Sequence, residues 1–374
     1  MRTMFTALCA GMALALASFS QAAKAQSDIV VGAGFVLSGP IAAYGEDGKI
    51  GMDIAAEEIN AKGGVLGRPL RIVYEDTGAD RAKAVATYRK FAADPNVVAF
   101  STISSIEFVA LDPVARTTKL PFVALGSAAP MKSFSPYAFR VQLIIDKAMP
   151  AVLTRLKDMK GAKTIAVISD TVNNYNVGEM ESVKASAPQV GLSLVGDETF
   201  STGEQNFTLQ LTRLAAANPD ILYVAATTNE AMLIIGQARA LGMKSTVVGG
   251  AGLNDNRIGT VLGVAADGIM TFFPFDPASD REVVKRFVGL YQKKYGAEKV
   301  PPAYVALGYD TLHLIVKAVE EAKSTDREAI RKAFGSIKNF EGANGLFSYS
   351  GSGDNLEQKP NIYEFKDKAY RRVP

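Results

Sequence analysis

Short apolar runs built from strand formers alternate with helical stretches along most of this chain, and that alternation limits its fold more than any other feature. Strands are expected near Ile29–Phe35, Leu70–Glu75, Val97–Ile103, Phe122–Gly126, Thr164–Ser169, Leu192–Phe200, Ile221–Ala226, Thr246–Gly250 and Gly268–Phe273. Between them lie helical patterns such as Asp47–Lys62, Arg81–Ala93, Met149–Lys160, Gly178–Ala187, Asn206–Ala217, Glu230–Leu241 and Arg281–Tyr295. Most of the strands are continuous apolar runs, which implies parallel sheets covered on both faces. Strand–helix–strand alternation at this spacing gives an α/β fold. Two series appear, one before about Gln142 and one after, each expected to carry its own sheet. A helical pair, Tyr304–Ala322 and Asp326–Phe334, and two closing strands, Asn361–Lys366 and Ala369–Val373, must pack onto these.

Residues 1–25 read as a cleavable secretory signal. Arg2 precedes an apolar run, Met4–Phe19, and Ala23-Lys24-Ala25 places small residues where a signal peptidase inspects them. The run is too short for a comfortable membrane anchor, and no later run reaches spanning length. Cys9 is the sole cysteine and lies inside this segment, with Leu8 before it and much of the apolar run after it, which argues against lipid attachment. The mature chain is therefore expected to hold no thiol, disulfide or cysteine metal site, as suits export to a bacterial periplasm. Without Arg2 and Lys24 the 41 basic residues fall to 39 against 38 acidic ones, with no dense basic stretch. Nucleic acid is not an expected partner.

The turn after the first strand, "LSGPIAAYGEDG", opens a helix. Gly32 and Gly34 could begin a dinucleotide fingerprint, but its third glycine falls on Leu37, and both glycines lie within the strand. Tyr44, at the start of the helix, is either a packed tyrosine or part of the edge where open α/β sheets bind ligands. The third strand ends in "FSTISSIEF", where Ser104 and Glu107 have capping-box spacing. Ser104 could act as a cap alone. A capped helix start also offers unpaired N–H groups and a positive dipole end to a carboxylate. The fourth strand ends in "VALGSAAP", so three strands finish in short polar loops on one side.

With these loops in view the chain resembles the periplasmic solute-binding proteins of ABC importers, in the leucine/isoleucine/valine-binding family with the type I binding-protein fold. The stretches that carry the likeness are Leu37–Asp80 with its "INAKGGVLGRPL", Ala110–Pro130, Ala238–Gly250 and the ending "NIYEFKDKAYRRV". They keep their order over essentially the whole mature chain. The resemblance implies two Rossmann-like lobes with parallel central sheets, joined by a hinge and closing over one ligand. One lobe would be 28–142 plus 276–346, the other 143–275 plus 347–374. It further implies a monomer that delivers its ligand to an inner-membrane permease.

Carried over residue by residue, the family's ligand contacts fall on Tyr44, on Ser104 with Ser105 beside it, and on Gly126, Ser127 and Ala128 after the fourth strand. In the second lobe they fall on Tyr175, Thr227 and Ala251. Two positions depart from the family: a usual hydroxyl residue is Ala128, and the carboxylate that holds a ligand ammonium is Ala251. Asp255, four residues on, could replace the latter only if the loop were arranged differently. Burying an ammonium without an anion is costly. The expected ligand therefore carries a carboxylate, on an amino acid or on an aromatic or aliphatic organic acid.

An enzyme is not expected, and neither is a cofactor or a metal. His313, the only histidine, sits in a strongly helical apolar stretch, and one histidine without a mature cysteine excludes Ser-His, Cys-His and multi-histidine zinc sites. Other readings on the same fold are a ligand sensor for a signalling partner, a sugar binder, weakened by the absence of tryptophan, and a Rossmann-type enzyme.

Overall fold

The computed structural model describes residues 27–127, 131, 133–255, 257–349 and 353–373. Residues 1–25 and Ala128 lie outside them. The first sheet holds β1 (Ile29–Phe35), β2 (Leu70–Asp76), β3 (Val97–Thr102), β4 (Phe122–Ala124) and β5 (Ala138–Arg140), ordered β2-β1-β3-β4-β5 with every pair parallel. The second holds β6 (Thr164–Asp170), β7 (Ser193–Phe200), β8 (Ile221–Ala225), β9 (Thr246–Gly249) and β10 (Met270–Phe273). β11 (Phe340–Gly342) and β12 (Gly345–Phe347) make a separate hairpin, and β13 (Asn361–Lys366) and β14 (Ala369–Arg372) complete the second sheet as β14-β13-β10-β9-β8-β6-β7. There β13 and β14 run antiparallel and the rest parallel. The mixed α/β architecture with parallel central sheets follows the sequence pattern.

Every residue of β1 and β3 is buried, the consequence of helices on both faces. Val31, Ala33 and Phe35 join one core with Met52 of α1 (Ala42–Ala61). Val30 faces the other way, toward Tyr88 of α2 (Arg81–Ala93) and Leu111 of α3 (Ser105–Thr118). β6 alternates likewise. Ile165 and Val167 pack with Leu153 of α4 (Ile145–Lys160) and Val183 of α5 (Asn174–Ser186). Ala166 and Ile168 pack with Leu211 of α6 (Thr208–Ala216) and Ile234 of α7 (Thr228–Ala240). A short α8 (Arg257–Leu262) follows β9.

After β10 the chain returns to the first sheet as α9 (Glu282–Tyr295), α10 (Ala303–Ala322) and α11 (Arg327–Ser336), whose Phe287, Leu312 and Phe334 join the core of β1. Close helix approach explains two glycines. A Cβ on Gly51 of α1 would lie 1.9 Å from the Val305 carbonyl oxygen, and one on Gly308 of α10 would lie 2.1 Å from that of Gly48. Asp310, fully buried on α10, ties down the hairpin by accepting from Ala343 N–H at 2.7 Å and Asn344 N–H at 2.8 Å.

The two glycines of the "GAG" run are packing residues. A Cβ on Gly32 would lie 2.7 Å from the Phe91 ring, and one on Gly34 2.7 Å from Phe100. Their absent side chains make room for aromatic rings above the strand, the physical reason that run misleads as a nucleotide motif.

Candidate functional site

The five parallel strands of each sheet share one order, β2-β1-β3-β4-β5 in the first and β7-β6-β8-β9-β10 in the second. In each, the loop after the earliest strand and the loop after its crossover neighbour leave in opposite directions, opening a crevice at the carboxyl ends. One cavity of about 50 Å³ is lined from both crevices. Ile41 and Tyr44 after β1, Ile103 to Ile106 after β3, and Gly126 after β4 form one wall together with Tyr304 of α10. Asn173, Tyr175 and Asn176 after β6, Ala226 and Thr227 after β8, and Ala251 and Gly252 after β9 form the other.

The cavity thus unites Tyr44, Ser104, Ser105, Gly126, Tyr175, Thr227 and Ala251. Ser127 is buried beside them but off the lining. Asp255 is also absent from the lining, because Arg257 engages it in a fork, Nε at 2.9 Å and Nη2 at 2.6 Å from Oδ2. Sequence reasoning missed Ile41, Asn173, Asn176 and Tyr304. Asn173 could have been found as Ser104 was, from a cap residue following a strand. Tyr304 gives no such signal, since it sits in the apolar pattern of α10.

Four helices begin at this cavity, and the N-cap residue of each lines it: Ile41 for α1, Ser104 for α3, Asn173 for α5 and Thr227 for α7. The Ser104 hydroxyl oxygen accepts from Glu107 N–H at 3.2 Å, and Glu107 returns to Ser104 N–H at 3.3 Å, the capping box expected from the sequence. That use of a lone pair leaves the Ser104 O–H free to donate. The Thr227 hydroxyl instead donates to Glu230, and the Asn173 side chain accepts from Tyr175 N–H at 2.9 Å. Glu107 and Glu230 are buried behind the helix starts and neither lines the cavity. Gly126 is required at its place because a Cβ there would meet the Ile103 carbonyl oxygen at 2.3 Å.

Ser105 Oγ and Asn176 Nδ2 are buried and have no hydrogen-bond partner, although both residues line the cavity. Polar atoms left in that state each cost about 1–3 kcal/mol, which a bound solute or water would recover. Among the described residues, none that lines the cavity carries a formal charge. A further acid behind the wall is Glu179, fully buried one turn along α5 from Tyr175. Tyr223 donates to its Oε1 at 3.2 Å, while its Oε2 has no partner. Burial pushes its carboxyl up to about 8, against the pull of hydrogen bonds from Tyr223, Gly250 N–H and Tyr175. Gly250 leaves it room, since a Cβ there would lie 1.8 Å from Glu179 Oε1.

Aromatic rings narrow the cavity. Tyr44 stacks on Tyr304 with centroids 4.7 Å apart, and its hydroxyl shares a 2.6 Å hydrogen bond with Thr228 Oγ1, linking an element of one sheet to an element of the other. Burial pushes the Tyr44 phenol up to about 12, so it keeps its proton. Asp47, one turn along α1, is pushed up to about 7 by burial and by Asp255. His313 is remote from the site: its ring packs on Tyr309 at 4.4 Å and its Nε2 lies 3.3 Å from Glu58 Oε2.

A family model described as periplasmic binding protein matches residues 28–369. Among relatives, the Leu/Ile/Val-binding protein homolog 2 of Brucella abortus is 27% identical over 352 residues, covering 93% of this chain and 91% of that one. The Leu/Ile/Val-binding protein homolog 7 of Brucella suis is 27% identical over 334 residues, covering 84% and 83%. Among solved structures, a leucine binding protein LivK from Thermotoga maritima superposes with a TM-score of 0.85 at 28% identity, covering 92% of this chain and 98% of that one. The branched-chain amino acid transporter substrate binding protein LivJ of Streptococcus pneumoniae, solved with isoleucine, shares the fold with a TM-score of 0.83 at 24% identity, covering 93% and 99%. With a cavity between two like-ordered sheets, and with relatives along nearly its whole length, this chain belongs to the type I periplasmic binding proteins, in the leucine/isoleucine/valine-binding family.

Proposed function

We propose that this chain is the solute-capturing component of an ABC importer and that it grips a small solute by its carboxylate in the cavity between the two sheets. One observation carries this reading: four helix starts converge on a cavity whose walls hold no charged side chain and whose Ser105 hydroxyl has no partner. An anion near a helix N-terminus gains about 0.3–1 kcal/mol at exposed sites and up to about 2 kcal/mol when partly buried. Hydroxyls of Ser104 and Ser105 and the amides of α3 supply directed donors on one wall, and Tyr175 and Asn176 face them from the other.

A volume of about 50 Å³ is far below the roughly 300–1,000 Å³ of a typical small-molecule site, so a solute enters only when the walls part. The parting bodies are the two expected lobes, moving as a hinge, with the last boundary set beyond Asp354 instead of at 346, since Phe347 and Tyr349 pack in the first core and Arg140 pairs with Asp354. Residues 1–25 act as a signal peptide, and the mature protein works in the periplasm as a monomer that passes its solute to an inner-membrane permease. It binds its solute without reacting it.

A thermal-shift screen of amino acids, organic acids and sugars tests this. A true ligand at 100 times its dissociation constant adds about 2.7 kcal/mol of stability. Ser105→Ala should leave the empty protein at least as stable as before, because its hydroxyl bonds to nothing internally, yet weaken the ligand about tenfold or more. Hits confined to uncharged sugars, or a Ser105→Ala protein with undiminished affinity, would overturn the carboxylate reading.

A further inference from the structure

Two features of the wall built by α5 point to the chemistry of the solute's second polar group. Asn176 lines the cavity and is 1% exposed, and its Nδ2 is a donor without an acceptor. Position 251, where an anion for an ammonium would be expected, presents a methyl group, and its N–H is directed to the Tyr175 hydroxyl at 3.3 Å. Three buried acids adjoin this wall among the described residues, and none lines the cavity: Asp170 accepts from the Val172 and Asn173 N–H groups and the Thr202 hydroxyl, Glu230 accepts from the Thr227 hydroxyl and the Gly203 N–H, and Glu179 lies behind Tyr175 and Gly250.

The groups that face Glu179 are the Tyr223 hydroxyl from β8, the Tyr175 hydroxyl from its own helix, the Gly250 main chain after β9, and Tyr304 from α10. Burial raises the pKa of all three phenols, so they are neutral, and none of these groups is a cation. Burial also keeps the Glu179 carboxyl largely protonated at neutral pH. An ammonium brought to this wall meets an amide and a methyl group, with each adjoining acid held off the lining and already hydrogen-bonded, and it loses its hydration without gaining an anion. An oxygen acceptor meets Asn176 Nδ2 and satisfies it.

We propose that the α5 wall sets the solute class: the site takes a carboxylate whose second polar group is a hydrogen-bond acceptor, a 2-oxo acid being the simplest, and turns away the 2-amino acid with the same carbon skeleton. This rests on the carboxylate-gripping reading above and narrows it. Ser105 and the α3 amides hold the head group, while Asn176 reads the neighbouring carbon.

Calorimetry at neutral pH on matched pairs tests the inference: 4-methyl-2-oxopentanoate against leucine, 3-methyl-2-oxobutanoate against valine, and phenylpyruvate against phenylalanine. In at least one pair the 2-oxo acid should bind at least 100-fold more tightly than its amino acid. Asn176→Ala should weaken that 2-oxo acid about tenfold while leaving the same acid without its oxo group unchanged. Ala251→Glu should narrow the ratio at least tenfold, with the unfolding midpoint of each variant checked in parallel. An amino acid that binds as tightly as its 2-oxo partner overturns the inference and leaves the carboxylate reading intact. If Glu179→Gln then abolishes that binding, Glu179 is the anion for the ammonium. Failure of both members of every pair, with a solute outside the carboxylates binding instead, removes the carboxylate reading and the inference together.

Discussion

Replacing Glu179 by glutamine exposes the energy held in its buried proton. The side chain is fully buried, and its carboxyl is raised from 4.5 to about 8, burial being the largest cause. Below pH 4.5 the acid is protonated whether the chain is folded or not, and it adds no pH dependence. As pH climbs from 4.5 towards 8 the unfolded chain releases the proton and the folded one keeps it, so folding loses stability across that window and no further above it. Each pH unit is worth about 1.4 kcal/mol, so the loss amounts to at most about 5 kcal/mol. Glutamine keeps the shape and accepts the Tyr223 hydrogen bond but cannot titrate. Urea unfolding of the ligand-free proteins at about pH 5 and about pH 8.5 should show the variant gaining on the parent by a few kcal/mol between the two. A difference that stays constant with pH would mean that Glu179 ionises in the fold as freely as in water, and the account of a neutral α5 wall would fail with it.

Tyr44→Phe removes the 2.6 Å bond to Thr228, worth about 0.5–1.5 kcal/mol, and should shift the empty protein towards an opened form. Small-angle scattering would show a larger radius of gyration without ligand; an unchanged radius would mean the bond does not hold the walls together. Gly308→Ala drives a Cβ to 2.1 Å from the Gly48 carbonyl oxygen and should lower stability by about 1–3 kcal/mol, read from the urea midpoint; an unchanged midpoint would show that α1 and α10 can separate freely. Glu58 works in the opposite sense to Glu179. Burial raises its carboxyl, but hydrogen bonds from His313, Lys62 and Tyr309 outweigh it and hold the group well below the usual carboxylate range. Its stabilisation is present above about pH 4.5 and is lost as pH falls, so Glu58→Gln should cost stability at neutral pH and progressively less in acid, as acid-titrated circular dichroism of the two proteins would show.

Elements buried on both faces were legible in the sequence, because a parallel strand under two layers of helix has no reason to include polar residues. β1 occupies the expected Ile29–Phe35. Short elements were not legible: β5 and the β11–β12 hairpin strands have three residues each, too few to display a period. α1 begins at Ala42, five residues before the expected Asp47, and its Gly45 passes so close to the Val36 carbonyl that a Cβ would lie at 1.8 Å from its oxygen. Within the cavity lining, Tyr44 and Ser104 were readable because each follows a strand in a short polar turn, while Tyr175 was reached only through the family resemblance. Tyr304, Asn176 and Glu179 were not readable, since a helix supplies each and its own pattern gives another reason for the residue to be there. Their roles exist only once two distant helices meet.

The convergence of four N-caps on one small space has a consequence for how such a protein can change its diet. Main-chain amides cannot be mutated, so the proposed grip on an anionic head would persist through almost any substitution that keeps the helices in place. The lining residues Asn176, Thr227 and Ala251, proposed to meet the rest of the solute, follow three different strands and can be exchanged one at a time. Appetite for a charged end is thus written into the scaffold, while taste for what is attached to it can drift.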